Sequence, residues 1–241
     1  MRLKEEFLKE NERRSRNIFV LLFRYIGSNV AFFMRNTNLS PNHLSIFSLA
    51  FSILAAFLLS RAGYWCFVIG AVFYQLAVVL DYSDGSLARL KGMSSFLGKW
   101  LDYNFDIVRE FLIILGLCWG LHRQNGVPVI WMAGIVLCST NFICDIMSMT
   151  FKKFAFAEKE GSSLGSKNRL YALIRHFVNA RALRYFSMPL FAITNQLFFY
   201  LIFFSTYNFF VALGMAFALG RIIGRQDKLG ISTRGHGRLE P

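Results

Sequence analysis

Between residues 81 and 106 the chain reads Asp81-Tyr-Ser-Asp84-Gly85-Ser-Leu-Ala88-Arg89, then eight residues, then Gly98-Lys-Trp-Leu-Asp102-Tyr-Asn-Phe-Asp106. Four carboxylates thus stand at the edge of two strongly apolar stretches, where an unpaired charge is expensive. At about 100° per helical residue, Asp81, Asp84, Gly85 and Ala88 share an arc of roughly 100° on one helix, and Gly98, Asp102 and Asp106 an arc of roughly 80° on the next. Each helix therefore presents acids beside small residues. Facing carboxylates repel unless a cation sits between them, and an all-oxygen set of ligands suits a hard ion such as Mg²⁺ or Mn²⁺. The side chains missing at Gly85, Ala88 and Gly98 leave space for a flat or bulky group close to the backbone. Metal ions plus space point to a nucleotide diphosphate.

This arrangement resembles the CDP-alcohol phosphotransferase family, whose pattern is D-x2-D-G-x2-A-R-x8-G-x3-D-x3-D. Every fixed position is met, by Asp81, Asp84, Gly85, Ala88, Arg89, Gly98, Asp102 and Asp106. The resemblance implies two divalent ions held by Asp81, Asp84 and Asp102, with Asp106 also a ligand. It implies that Asp81, Asp84, Gly85, Ala88, Arg89 and Gly98 frame the CDP moiety, and that Asp106 is the general base that takes the proton from an acceptor alcohol before CMP leaves. The family also carries Pro-Asn followed three residues later by Thr or Ser, which Pro41, Asn42 and Ser45 resemble. Asn42 either lines the nucleotide end of the site or, with Ser40, caps a helix.

The elements that must hold these residues are membrane helices. The 241 residues are 55% hydrophobic with a mean hydropathy of +0.42, too apolar for an ordinary soluble domain. The net charge of +13 does not point to nucleic acid, because Lys and Arg cluster between the apolar spans, where orientation and anionic headgroups account for them. Cys66, Cys118, Cys138 and Cys144 all sit in apolar stretches without ligand spacing and read as small buried hydrophobes. No cleavable leader is expected, since the N-terminus opens on a charged run. The fold expected is all-α: a polytopic membrane bundle of about six transmembrane helices, preceded by an amphipathic helix lying on the interface.

In chain order, residues 1–36 form that cytoplasmic amphipathic helix, with Arg24 and Arg35 at its polar edge. Residues 37–224 form the membrane domain and 225–241 a polar tail. Spans are expected at 44–60, 64–80, from 97 through 119, at 128–150, 186–204 and 209–223, the last two joined by a turn near Tyr207 and Asn208. Arg109 reads as a buried counter-ion. Asp145 is either a contact for the acceptor or the partner of a nearby Arg or Lys. The basic segment 152–184, which includes Lys152, contains Arg175, Arg181 and Arg184; these either bind a phosphate of the acceptor or lipid, or lie on anionic headgroups. Residues 170–185 read as a second interfacial helix. The basic loops place both termini and the acidic site on the cytoplasmic side, as in a prokaryotic inner membrane.

The apolar walls favour CDP-diacylglycerol as donor and a small alcohol as acceptor; a soluble CDP-alcohol with a lipid acceptor keeps the same motif. Membrane lipids are partners on either reading, and a homodimer is consistent with the resemblance. Two rivals remain. An intramembrane prenyltransferase would use Asp102 and Asp106 with Mg²⁺ but leaves Gly85, Ala88 and Arg89 unexplained. A cation transporter would bind ions without releasing CMP.

Overall fold

Helix ends fall where local chemistry puts them. The computed structural model describes residues 18–157 and 181–228, the side chains of 151–157, 222, 223 and 225–228 lying outside the description. Among the described residues the protein is helical with no strand: α1 (Ile18–Met34), α2 (Pro41–Leu59), α3 (Tyr64–Lys91), α4 (Phe96–Asn125), α5 (Val129–Ala157), α6 (181–193) and α7 (Leu197–Lys228). Ser40 caps α2 in a reciprocal box with His43, and Pro41 occupies the first turn, where its missing N–H costs nothing. Helix α3 stops at Gly92, whose left-handed φ of 65° lets its N–H reach the carbonyls of Ala88 and Arg89. Ser95 then caps α4 by accepting from the Gly98 N–H at 2.9 Å. The eight residues between Arg89 and Gly98 are thus a helix stop, a turn and a helix start.

Helix α2 is the spacer of the bundle. It packs against both α3 and α4, more extensively than those two pack against each other. Between Leu44 and Leu59 its buried face is made of Ser45, Ser48, Ser52, Ala55 and Ala56, so neighbouring backbones can come close there. A Cβ at Gly116 or Gly120 of α4 would collide with the backbone of Ala56 or Leu59, and one at Gly70 of α3 would lie 3.0 Å from Leu59 Cγ. Helix α7 packs on α5, and α5 on α4. Outward-facing Ile46, Phe47, Ile53 and Phe57 leave α2 with an apolar exterior suited to lipid.

Four helices among the described residues are long and apolar enough to cross a membrane: Pro41–Leu59, Tyr64–Lys91, Val129–Thr150 and Leu197–Arg221. With 30 residues α4 also has the length, but its first half carries Lys99, Asp102, Asp106, Arg109 and Glu110. The all-α polytopic bundle is therefore observed.

Two expectations are corrected. No turn separates helices near Tyr207 and Asn208, for α7 runs straight through them. Asn208 is buried and donates to Asn141 Oδ1 at 3.1 Å, so its polarity serves a contact between helices rather than a loop. The break lies instead at 194–196, where Asn195 adopts φ 56° and the Gln196 N–H turns back to the Phe191 carbonyl at 2.7 Å. Secondly, α1 does not keep Arg24 at a solvated edge. It lays Val20, Phe23, Gly27, Ser28 and Ala31 inward, and at Gly27 an added Cβ would stand only 2.9 Å from the Tyr82 carbonyl carbon of α3. The charged run 1–17, the segment 158–180 with most of the second interfacial helix, and the tail from 229 lie outside the described residues.

The close contact of α4 on α2 is testable. Gly120→Val should lower the thermal unfolding midpoint of the purified protein, overpacking of this kind costing about 1–3 kcal/mol. Gly220→Ala, where a Cβ meets nothing within 4 Å, should not. Equal midpoints for the two would refute the packing argument.

Candidate active site

The acids of α3 and α4 converge, though not all of them equally. Asp81, Asp84 and Asp102 offer carboxylate oxygens that lie within 4.8 Å of one another. Asp84 is buried and accepts a hydrogen bond from Ser45 Oγ at 2.5 Å, while Asp102 is open to solvent. Asp81 is paired with Arg109, whose Nη1 stands 2.9 Å away. The guanidinium of Arg109, a residue only 2% exposed, donates through Nη2 to Asp106 and through Nη1 to Ser48 Oγ, and the Ser48 hydroxyl donates in turn to the Ala77 carbonyl of α3. Asp106 is therefore turned toward Arg109 and stands apart from the three clustered carboxylates.

Two cavities meet at this cluster. The larger, of about 460 Å³, extends toward Arg24, Asp106, Asp145, Ser148 and Arg181. The smaller, of about 240 Å³, is lined by Asn42, Ala88, Ser95, Gly98 and Lys99. Both are bounded by Asp84, Gly85, Arg89 and Asp102. At Gly85 a Cβ would meet only Arg89 Nη1, at 3.7 Å, and at Gly98 it would crowd Ser95 Oγ and Asn42 Oδ1 at 3.1 and 3.4 Å. Gly85 thus borders open volume, whereas Gly98 lets Ser95 and Asn42 come close beside the smaller cavity. Because Ser40 and His43 perform the capping, Asn42 is left to line the smaller cavity.

Beneath the larger cavity lies a second ionic layer. Glu110 Oε1 accepts from Arg184 Nη2 at 2.8 Å and from the Tyr185 hydroxyl at 2.6 Å. Arg181 Nη2 holds both oxygens of Asp145, at 2.6 and 2.7 Å, with its Nε 3.4 Å from Glu110. Of the two readings of Asp145, the structure shows the ion pair, made within the cavity wall. Arg184 is a correction: it is neither on a solvated basic face nor in the large cavity, but 4% exposed and committed to Glu110 and Asn141. The side chain of Lys152 and the whole of Arg175 lie outside the described residues.

Several participants escaped sequence reasoning. Arg24 lines the larger cavity from α1, and Glu110 and Tyr185 form the lower layer. Ser148 carries a buried hydroxyl without a hydrogen-bond partner one turn beyond Asp145. The faint signal for Ser148 was its helical spacing from an intramembrane acid. For Arg24 it was a lone charge inside an apolar run.

A family model described as CDP-alcohol phosphatidyltransferase matches residues 38–222. The chain belongs to that family. It is 36% identical over 108 residues to the bifunctional IPC transferase and DIPP synthase of Rubrobacter xylanophilus, a stretch covering 43% of this chain and 24% of that protein. It is 30% identical over 88 residues to cholinephosphotransferase 1 of Gallus gallus, covering 33% of this chain and 26% of the relative. The chain thus spans about a quarter of the length of these curated relatives. In this chain the clustered carboxylates come from two helices and form an all-oxygen donor set that fits Mg²⁺ or Mn²⁺, with Arg109 paired to Asp81 at its edge.

Two outcomes follow. Mn²⁺ titrated into the purified protein and read by electron paramagnetic resonance should bind at least tenfold more weakly in Asp84→Asn and Asp102→Asn, while Asp145→Asn keeps wild-type affinity; uniform binding across the three would disprove the cluster. Glu110→Gln should sharply lower the unfolding midpoint, since removing one partner from a buried ionic layer costs roughly 3–5 kcal/mol, and a midpoint unchanged from wild type would count against that layer.

Proposed function

We propose that this chain transfers a substituted phosphate group from a CDP-linked donor, CDP-diacylglycerol foremost, to the hydroxyl of an acceptor alcohol, releasing CMP in phospholipid synthesis. The observation that carries this reading is the clustering of Asp81, Asp84 and Asp102 where two cavities meet, Asp84 and Asp102 bounding both and Asp81 the larger, with small residues along the smaller cavity and Asp106 and Arg109 along the larger. Asp81, Asp84 and Asp102 would hold two divalent ions. When bound, these neutralise a diphosphate and stabilise charge on the attacking and leaving oxygens of an in-line displacement.

The chain's own residues then have distinct tasks. Asn42, Gly85, Ala88, Arg89 and Gly98 bound the volume for the CDP moiety. Arg109 orients Asp106, which accepts the proton of the acceptor hydroxyl as its oxygen attacks the phosphorus distal to the cytidine. The bond from that phosphorus to the bridging oxygen breaks, and CMP leaves with the electron pair. Lipid-facing walls beside the cluster account for a donor with acyl tails, and the same geometry serves a soluble CDP-alcohol with a lipid acceptor. The basic loops support a site open to the cytoplasm, where CMP can depart.

Purified protein in lipid nanodiscs, given CDP-diacylglycerol, Mg²⁺ or Mn²⁺ and a panel of alcohols, should release CMP. Asp81→Asn, Asp84→Asn and Asp102→Asn should each reduce the rate at least a hundredfold, and Asp106→Asn comparably with CMP binding retained. Release of pyrophosphate from a prenyl diphosphate would favour the prenyltransferase instead. An Asp106→Asn protein with full activity would remove the base assignment.

A further inference from the structure

Arg24 is the position where the structure asks for something more. Phe23 stacks on Tyr82 with ring centroids 5.6 Å apart, and the close backbone approach at Gly27 clamps α1 against α3 one turn later. These contacts bring the Arg24 side chain to the wall of the larger cavity, where its Nη1 is buried and has no hydrogen-bond partner. The other arginines of that wall spend terminal nitrogens on partners within the protein, and of their buried nitrogens only Nε of Arg109 and of Arg181 is left without a hydrogen bond. Arg109 is held by Asp81, Asp106 and Ser48, Arg181 by Asp145 and Glu110, and Arg89 donates to Ser86 Oγ at 3.1 Å. A buried, charged donor left unmade is costly, so a ligand that fills the cavity and pairs with it gains affinity.

The position of Arg24 says which ligand. The donor's diphosphate belongs with the three aspartates where the cavities meet, next to the nucleotide side. The larger cavity continues past Asp106 to Arg24, Asp145 and Ser148, which is the acceptor's side if Asp106 is the base. A planar guanidinium with an open donor suits a phosphate oxygen far better than a neutral or cationic headgroup. The unpartnered Ser148 hydroxyl on the same wall adds a site for a hydroxyl group.

We propose that Arg24 anchors a phosphate monoester carried by the acceptor at a distance from the attacking hydroxyl, so that the acceptor is a phosphorylated polyhydric alcohol. This deepens the transferase reading and rests on it. It also moves anion recognition away from Arg181 and Arg184, which the buried acids already occupy, to an interfacial helix.

The test separates the two claims. In lipid-free detergent micelles with Mn²⁺ and CMP, inorganic phosphate should stabilise the wild-type protein with an affinity that falls at least tenfold in Arg24→Gln. Arg24→Lys should recover part of it, and the dissociation constant for CMP should be the same in all three, which shows that the variants fold. In neutral-lipid nanodiscs with CDP-diacylglycerol, glycerol 3-phosphate and inositol phosphate should be used in preference to glycerol and inositol. Arg24→Gln should raise the acceptor KM at least tenfold, far more than it lowers kcat. Undiminished phosphate affinity in Arg24→Gln, or equal use of the unphosphorylated alcohols, overturns the proposal. So does an effect confined to the KM for CDP-diacylglycerol, which would assign the phosphate to the lipid. Loss of Mn²⁺-dependent CMP binding in the wild type would strike the transferase reading, while Arg24-dependent phosphate binding would still stand.

Discussion

Crowding like charges in a membrane protein is the constraint from which the rest of this structure follows. Asp81, Asp84 and Asp102 bring their oxygens within 4.8 Å of one another, a repulsive arrangement that the apo protein must tolerate if it is to bind cations strongly. It does so by giving two of them a fixed donor each: Ser45 for Asp84 and Arg109 for Asp81. These donors are themselves held. Arg109 reaches Ser48 on α2, and Ser48 reaches the Ala77 carbonyl on α3, so one side chain of α4 ties together three helices. The spacer helix α2 can serve this purpose because its inner face is short. Bulky residues at Ser48, Ala55 or Ala56 would push α3 and α4 apart and spread the acids beyond the reach of a common ion.

Arg109 and Glu110 are adjacent in sequence and face different partners, as neighbours about 100° apart on a helix must. Arg109 serves the upper layer of α2 and α3, and Glu110 the lower layer of Arg181, Arg184 and Tyr185. Each buried charge thereby meets its opposite, and the two layers share a single helical turn. Ion pairs of this kind add little net stability, because desolvation offsets most of the attraction. Their effect is positional: the rotation of α4 about its axis cannot change without stranding a charge on one side or the other.

How much of this was legible beforehand differs by residue. The acids of 81–106 could be read because helical periodicity puts Asp81 and Asp84 on one face of α3 and Asp102 and Asp106 on one face of α4, although Asp106 turns to Arg109 and not to the cluster, and the capping chemistry of Ser40, Gly92 and Ser95 is local. Asn42 stayed ambiguous until Ser40 and His43 were seen to form the cap. Tyr207 and Asn208 read as a turn because a polar pair interrupted an apolar run, yet Asn208 finds Asn141, 67 residues earlier in the chain. Arg184 looked like part of a basic surface for the same reason: its partner Glu110 is 74 residues away. Local pattern shows that a residue is polar, whereas its partner is set by which helices become neighbours.

Arg24 shows the same limit in a form that bears on mechanism. An amphipathic helix at a membrane surface has a polar face by construction, and a lone arginine there reads as contact with water or headgroups. The orientation is decided elsewhere, by a missing side chain. With no Cβ at Gly27, α1 can lie almost in backbone contact with α3 beside Tyr82, within one turn of Asp81 and Asp84. Any larger residue there would lift α1 and carry Arg24 away from the cavity wall. Helix α1 is thus part of the chamber that the acids define, and its seating on α3 sets the position of the Arg24 charge in the wall of the larger cavity.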